Sequence, residues 1–169
     1  MNVRGSGDIK LLISWLNDAY AMEQAQLKAL KRYIQDYEAY PDIQGQLEAH
    51  IEETEQQLED MQTCIDHVGG KVSTVKSWLG SITGTVQGLE TAPFKDETVK
   101  NMLMLHAAEH FEHACYVALG EGARALGQVE IAEVCDRIAD EERRTADWAL
   151  GHLPKLVQAT VTNGKPDQP

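Results

Sequence analysis

Along four stretches of this chain, apolar residues recur every three or four positions, the pattern of amphipathic helices turning one face to a common core. In the first, Leu12, Leu16, Ala19, Glu23, Leu27 and Leu30 share a face, with Asp8 as cap and a stop near Tyr40-Pro41. The second starts at Asp42, carries Ile43, Leu47, His50, Thr54, Leu58, Met61, Ile65 and Val68 inward, and stops at Gly69-Gly70. Asp96 caps a third, with Met102, Leu105, Glu109, Glu112, Tyr116 and Leu119 inward and Gly127 at its end. The fourth begins near Val129, turns Cys135, Ile138, Glu142, Thr145, Ala149 and Leu153 inward, and is closed by Pro154.

Between the second and third helices, Lys71 to Lys95 is rich in Gly, Ser and Thr, yet Val75, Trp78, Leu79, Ile82, Val86 and Leu89 keep helical spacing. A short helix within a long crossover is the expectation, weakened by Gly80 and Gly84. A connection of this length lets the next helix run parallel to the one before it, whereas a short loop would force it antiparallel. The pattern therefore predicts an all-α, up-down-down-up four-helix bundle in a single domain, residues 1–169. Residues 8–154 form the bundle and 155–169 a flexible tail.

The stripes are interrupted by acids. Glu23, Glu53, Glu109 with Glu112, and Glu142 or its neighbour Glu141 fall on or beside the inward face of all four helices. A buried carboxylate left unneutralised costs several kcal/mol. His50-x-x-Glu53 and Glu109-x-x-Glu112 each bring two donor groups to one helix face. All these groups sit near mid-helix, so bundle packing brings Glu23, His50, Glu53, Glu109, Glu112 and Glu142 to one level around one cavity. Six such donors suit two metal ions, and hard carboxylates with few nitrogens favour iron, with manganese or zinc as alternatives.

An isolated Glu on a helix edge is usually solvated, as expected for Glu52, Glu55, Glu59, Glu130 and Glu133. The signal is the coincidence of register across four helices, not the number of acids. His106, His110 and His113 form a row rotated from the Glu109 and Glu112 row. Of these, His113 is the additional ligand candidate, and Glu141 replaces Glu142 if the fourth helix is turned by one residue. Tyr20 and Tyr116 lie within about a turn of proposed ligands, where core packing is the ordinary role of a tyrosine.

Composition narrows the function classes. With 15 Lys plus Arg against 27 Asp plus Glu, the formal charge of -12 repels nucleic acid and anionic membrane surfaces. No window approaches the roughly 18 consecutive apolar residues of a membrane span, and residues 1–8 carry no apolar leader core. A cytoplasmic protein is expected. Cys64, Cys115 and Cys135 are scattered, without a C-x-x-C pair, and read as free thiols.

At Ala49-His50-Ile51-Glu52-Glu53-Thr54 and Glu109-His110-Phe111-Glu112, with Tyr116 following, the chain resembles the YciE/YciF family of ferritin-like proteins. Asp18-x-Tyr20 followed by Glu23, and Asp140-Glu141-Glu142, are similar to the first and fourth helices of that family. The resemblance implies a ferritin-like bundle, a homodimer, a dinuclear iron site and a place in the stress response. Glu-x-x-Glu on the third helix also resembles the rubrerythrin arrangement, whose site reduces peroxide. The ferritin-like pattern has a His three residues after Glu on two helices, but Gln56 and Thr145 occupy those places here, and His50 precedes its Glu. Three scattered cysteines supply no rubredoxin-like iron, so electrons would come from an external donor.

The functional expectation is a di-iron carboxylate protein reacting with peroxide or oxygen. Glu53 and Glu142 would be bridges, Glu23 a terminal ligand, Glu109 and Glu112 ligands of the second ion, and His50 the nitrogen donor. The alternative is a non-catalytic helical dimer that binds a partner, its acids protonated or its metal purely structural.

Overall fold

The computed structural model describes residues 3–73 and 96–162, with side chains from residue 8 onward. Helix α1 spans Val3–Tyr33 and runs into a 3-10 turn at Ile34–Tyr37. Helix α2 spans Pro41–His67, α3 Glu97–Ala125 and α4 Val129–Val161. The expected helix within the crossover and the last residues of the expected tail lie outside the described residues.

Contacts between helices fix their directions. Lys31 meets Glu55, and Asn17 meets the backbone of Lys71, so α1 and α2 are antiparallel. Tyr116 reaches Glu23 and Gln26 reaches Glu109, which makes α1 and α3 antiparallel. Asp42 pairs with Lys155, and Gln57 reaches Glu142, so α4 runs opposite to α2. Helices α2 and α3 are therefore parallel, giving the up-down-down-up order.

Glycines end two of the helices as the spacing predicted. Gly69 and Gly127 adopt left-handed φ values of 72° and 73°, which Gly reaches without the Cβ penalty of other residues. Beyond each, an amide turns back to the last helical turn: Gly70 N–H donates to Ile65 O at 2.9 Å and Gln128 N–H to Ala123 O at 2.9 Å.

Three boundaries differ from expectation. Helix α1 begins before Asp8, so that residue is no cap. Asp96 stands at the N-terminus of α3 but makes no side-chain cap and pairs instead with Lys100 at 2.9 Å. Helix α4 passes through Pro154 and continues to Val161, so residues 155–161 are not a tail. Pro154 lacks the N–H that would bond Leu150 O, but both residues are on the exposed side, where that carbonyl is open to solvent. Past the proline, Leu156 is fully buried and Lys155 bonds Asp42 at 2.8 Å, which offsets the cost of continuing. Leu156 takes the inward role assigned to Leu153, which is half-buried.

Two apolar clusters fill the core, one at each end of the bundle. One packs Leu12, Leu16, Met61, Ile65, Leu119 and Ile138 from all four helices, and the other Leu30, Ile43, Leu47, Met102, Leu105 and Leu156. Between them lie the buried polar residues Glu23, Gln26, His50, Thr54, Gln57, Glu109, Glu112, Glu142 and Thr145. Apolar plugs on both sides lower the dielectric around this layer, so each charge or hydrogen bond inside it counts for more than at the surface.

Candidate metal centre

Successive turns of each helix place the donors of the polar layer. Glu23 and Gln26 sit one turn apart on α1, His50, Thr54 and Gln57 follow at helical spacing on α2, Glu109 and Glu112 face inward on α3, and Glu142 and Thr145 on α4. One ligand atom each from His50, Glu109 and Glu142 lies within 4.8 Å of the other two.

His50 Nε2 lies 3.1 Å from Glu109 Oε1, which also accepts from Gln26 Nε2 at 2.5 Å. On α2, Gln57 donates through Nε2 to Glu142 Oε1 at 2.6 Å and to Glu141 Oε2 at 3.1 Å. The Tyr116 hydroxyl donates to Glu23 Oε1 at 2.6 Å. Four acids keep an oxygen to spare: Oε2 of Glu23, Glu109, Glu112 and Glu142, with Gln57 Oε1, is buried and accepts no hydrogen bond from the described residues.

Protons and one ion pair balance the charge in the metal-free protein. Burial raises Glu23 to about 8 despite the Tyr116 bond, and the nearby charge of Glu109 adds to the rise. Burial, reinforced by the charges of Glu23 and Glu109, holds Glu112 well above the usual carboxylate range. Glu142 is likewise raised by burial, and the neighbouring carboxylate of Glu109 adds to the rise. Burial works against charge on both Glu109 and His50, but their mutual attraction prevails. Glu109 stays below the ordinary carboxylate value and His50 rises to about 10.

The structure brings Glu23, His50, Glu109, Glu112 and Glu142 into one buried layer, and treats the remaining candidates differently. Glu53 stands at the rim, its side chain 37% exposed, with Oε2 3.4 Å from His50 Nδ1. It is not among the three residues that converge, because at i+3 from His50 its carboxylate lies on the solvent side of the ring. Glu142 and Glu141 are both buried, but Glu142 joins His50 and Glu109 while Glu141 also bonds Arg137 at 2.7 Å. His113 does not join the donors: its Nδ1 donates to Ala139 O at 2.8 Å, as His106 Nδ1 does to Ala146 O at 2.9 Å, tying α3 to the α4 backbone.

Gln26 and Gln57 escape a reading of hydrophobic stripes because glutamine is ordinarily solvated. Their positions carry the signal: Gln26 stands three residues after Glu23, and Gln57 seven after His50, both on the inward face. Tyr116 is buried as expected of a core residue and uses its hydroxyl as well. Cys64, Cys115 and Cys135 are free, and burial pushes the thiols of Cys64 and Cys135 up to about 11 and 12.

A family model described as a domain of unknown function, DUF892, matches residues 8–162. The chain belongs to the DUF892 family. Among solved structures, this DUF892 protein is similar to a protein of Xanthomonas campestris pv. campestris, with 30% identity, a TM-score of 0.79, and 92% of this chain and 97% of that one covered. It is also similar to the E. coli stress protein YciF, at 20% identity and a TM-score of 0.76, over 88% of this chain and 96% of that one. A structure of ferritin-like, diiron-carboxylate proteins from Bacillus anthracis str. Ames matches at 15% identity and a TM-score of 0.70, covering 90% and 99%. The resemblance to the YciE/YciF family is borne out, and the DUF892 chain has the all-α ferritin-like fold.

The residues present fit a metal. An imidazole nitrogen and two carboxylates converge, and four acids hold buried oxygens that accept nothing from the described residues. Such a donor set suits divalent iron, manganese or zinc. No helix among the described residues is long and apolar enough to cross a membrane.

Proposed function

We propose that this protein is a dinuclear metal-carboxylate protein, with iron as the metal, that reacts with peroxide or oxygen. The observation that carries the reading is the convergence of His50, Glu109 and Glu142 within 4.8 Å in a water-poor layer. These three would hold one ion, and the spare oxygens of Glu23 and Glu112 would serve a second. When bound, iron supplies a one-electron couple for which peroxide or oxygen is the oxidant.

The chain's own residues set the conditions for that chemistry. Gln26 and Gln57 fix the carboxylates of Glu109 and Glu142, leaving their second oxygens turned to no other donor among the described residues. Tyr116 holds Glu23 by one oxygen and carries a hydroxyl proton at the edge of the cluster. The apolar plugs exclude water from both ends. A place in a stress response, suggested by the name of the E. coli relative, a homodimer, a cytoplasmic location and an external electron donor belong to the same proposal.

The second reading is a helical dimer without turnover. It is favoured by the way protons and the His50–Glu109 ion pair already balance the layer, with Tyr116 bonded to Glu23.

Anaerobic reconstitution with Fe(II), followed by metal analysis of wild type and Glu109→Gln, tests the choice. About two irons per chain, lost in the variant, is the expected result. One iron per chain, also lost in the variant, would refute the second ion while leaving the three-residue site. No bound iron, or binding that Glu109→Gln leaves unchanged, would overturn the metal reading in favour of the structural dimer.

A further inference from the structure

We propose that Glu53 is the carboxylate that orients His50 for the metal, and that it is a positioning residue instead of a ligand. This rests on the metal-centre reading above. The two nitrogens of the His50 ring face in different directions. Nε2 points inward, 3.1 Å from Glu109 Oε1, and Nδ1 points to the rim, 3.4 Å from Glu53 Oε2. A metal held by Nε2 takes that nitrogen's lone pair, so the ring's one remaining proton must sit on Nδ1, and that N–H needs an acceptor.

Among the described residues, two groups stand at Nδ1. Besides Glu53, the Thr145 hydroxyl of α4 lies 3.4 Å away. They are not equivalent. A hydroxyl donates as readily as it accepts, so Thr145 stabilises the wrong tautomer, with Nδ1 bare, as well as the right one. An ionised carboxylate only accepts, so of the two only Glu53 selects the tautomer that frees Nε2 for metal. Glu53 stands at the solvent rim with its side chain 37% exposed, where a carboxylate is ordinarily ionised at neutral pH.

The surroundings of Glu53 separate it from the ligand candidates. Glu23, Glu109, Glu112 and Glu142 each have a buried oxygen that accepts nothing, whereas Glu53, 37% exposed, has none. Position also explains its place one turn from His50. Being on the same helix, it moves with the ring it orients, while Thr145 belongs to a helix across the interface.

The test measures Co(II) affinity and stoichiometry, with visible absorption as the reporter of the coordination shell, in wild type, Glu53→Ala and Glu53→Gln. Glu53→Ala should weaken Co(II) binding by about 10- to 100-fold, the range for loss of a carboxylate partner to a ligating histidine, with the number of ions bound unchanged. Glu53→Gln, whose amide can donate as well as accept, should recover only part of that loss. An ion lost from the stoichiometry in both variants would make Glu53 a ligand and overturn the proposal, as would unchanged affinity in Glu53→Ala.

Proton NMR of the metal-free proteins supplies an arm that does not depend on metal. The His50 Nδ1 proton should give a slowly exchanging downfield signal in wild type that Glu53→Ala abolishes. If wild type binds no Co(II), the metal-centre reading falls. Loss of this signal in the variant would still support Glu53 as the orienting group, and its persistence would refute that role.

Discussion

Replacing Tyr116 by Phe removes one oxygen from the middle of the bundle and leaves the ring in place. Tyr116 is fully buried, and its hydroxyl donates to Glu23 Oε1 at 2.6 Å, while Glu23 Oε2 accepts nothing from the described residues. The variant therefore strands a buried carboxyl group at a cost of about 1–3 kcal/mol, a large share of a stability of about 5–15 kcal/mol. The cost depends on pH. Glu23 is raised by burial from 4.5 to about 8 in the folded, metal-free protein. Its contribution is complete below 4.5, where the carboxyl is protonated in both states, and drains away as pH rises through about 8. The Tyr116 bond opposes the burial effect, so Tyr116→Phe moves Glu23 further up and steepens the loss. Urea unfolding of chelator-treated protein at pH 6 and pH 9 reads both effects. Wild type should be less stable at pH 9, and the deficit of Tyr116→Phe should widen there, because the phenol then bonds a charged carboxylate. A deficit below about 0.5 kcal/mol at both pH values would refute the reasoning, since surface changes without such a partner lie in that range.

Other outcomes follow from features described above. Leu156→Ala, at a fully buried site beyond Pro154, should cost about 2–5 kcal/mol in urea unfolding; a cost near zero would mean that the last turns of α4 do not pack. Pro154→Ala restores the amide for Leu150 O and should stabilise the protein by about 1–3 kcal/mol, seen as a higher denaturant midpoint; destabilisation would contradict the account of α4. Fe(II) at about 100 times its Kd should add about 2.7 kcal/mol to stability, raising Tm by several degrees under anaerobic calorimetry, and a chelator should reverse it. An unchanged Tm would count against the metal.

Much of the bundle is legible in the chain because its two strongest signals are local. The three-and-four spacing of Leu12, Leu16, Ala19 and Glu23 fixes which face of α1 is inward, and Gly69 and Gly127 mark turns that other residues would strain. The inward register of Glu23, Glu109, Glu112 and Glu142 follows from the same periodicity. What escaped depends on contacts across helices. Pro154 reads as a stop because its local cost is plain, while the gain from burying Leu156 and pairing Lys155 with Asp42 is not. Glu53 reads as inward because it adjoins His50, yet i and i+3 are not superposed on a helix, and the difference places its carboxylate at the rim. Gln26 and Gln57 carry no burial signal in their residue type; only the buried acids opposite make sense of them.

The parallel course of α2 and α3 sets a minimum length on the chain between them. Helix α2, 27 residues long, extends about 40 Å, so the polypeptide leaving His67 must travel back about that distance before Glu97 can begin. A fully extended strand needs about 12 residues for the journey, and residues 68–96 provide more than twice that. Deletions within this tether that stay above the limit leave the topology available. A loop trimmed below it would force α3 to turn straight back beside α2, reversing the helix that carries Glu109 and Glu112, so a tight hairpin there is incompatible with this order of helices.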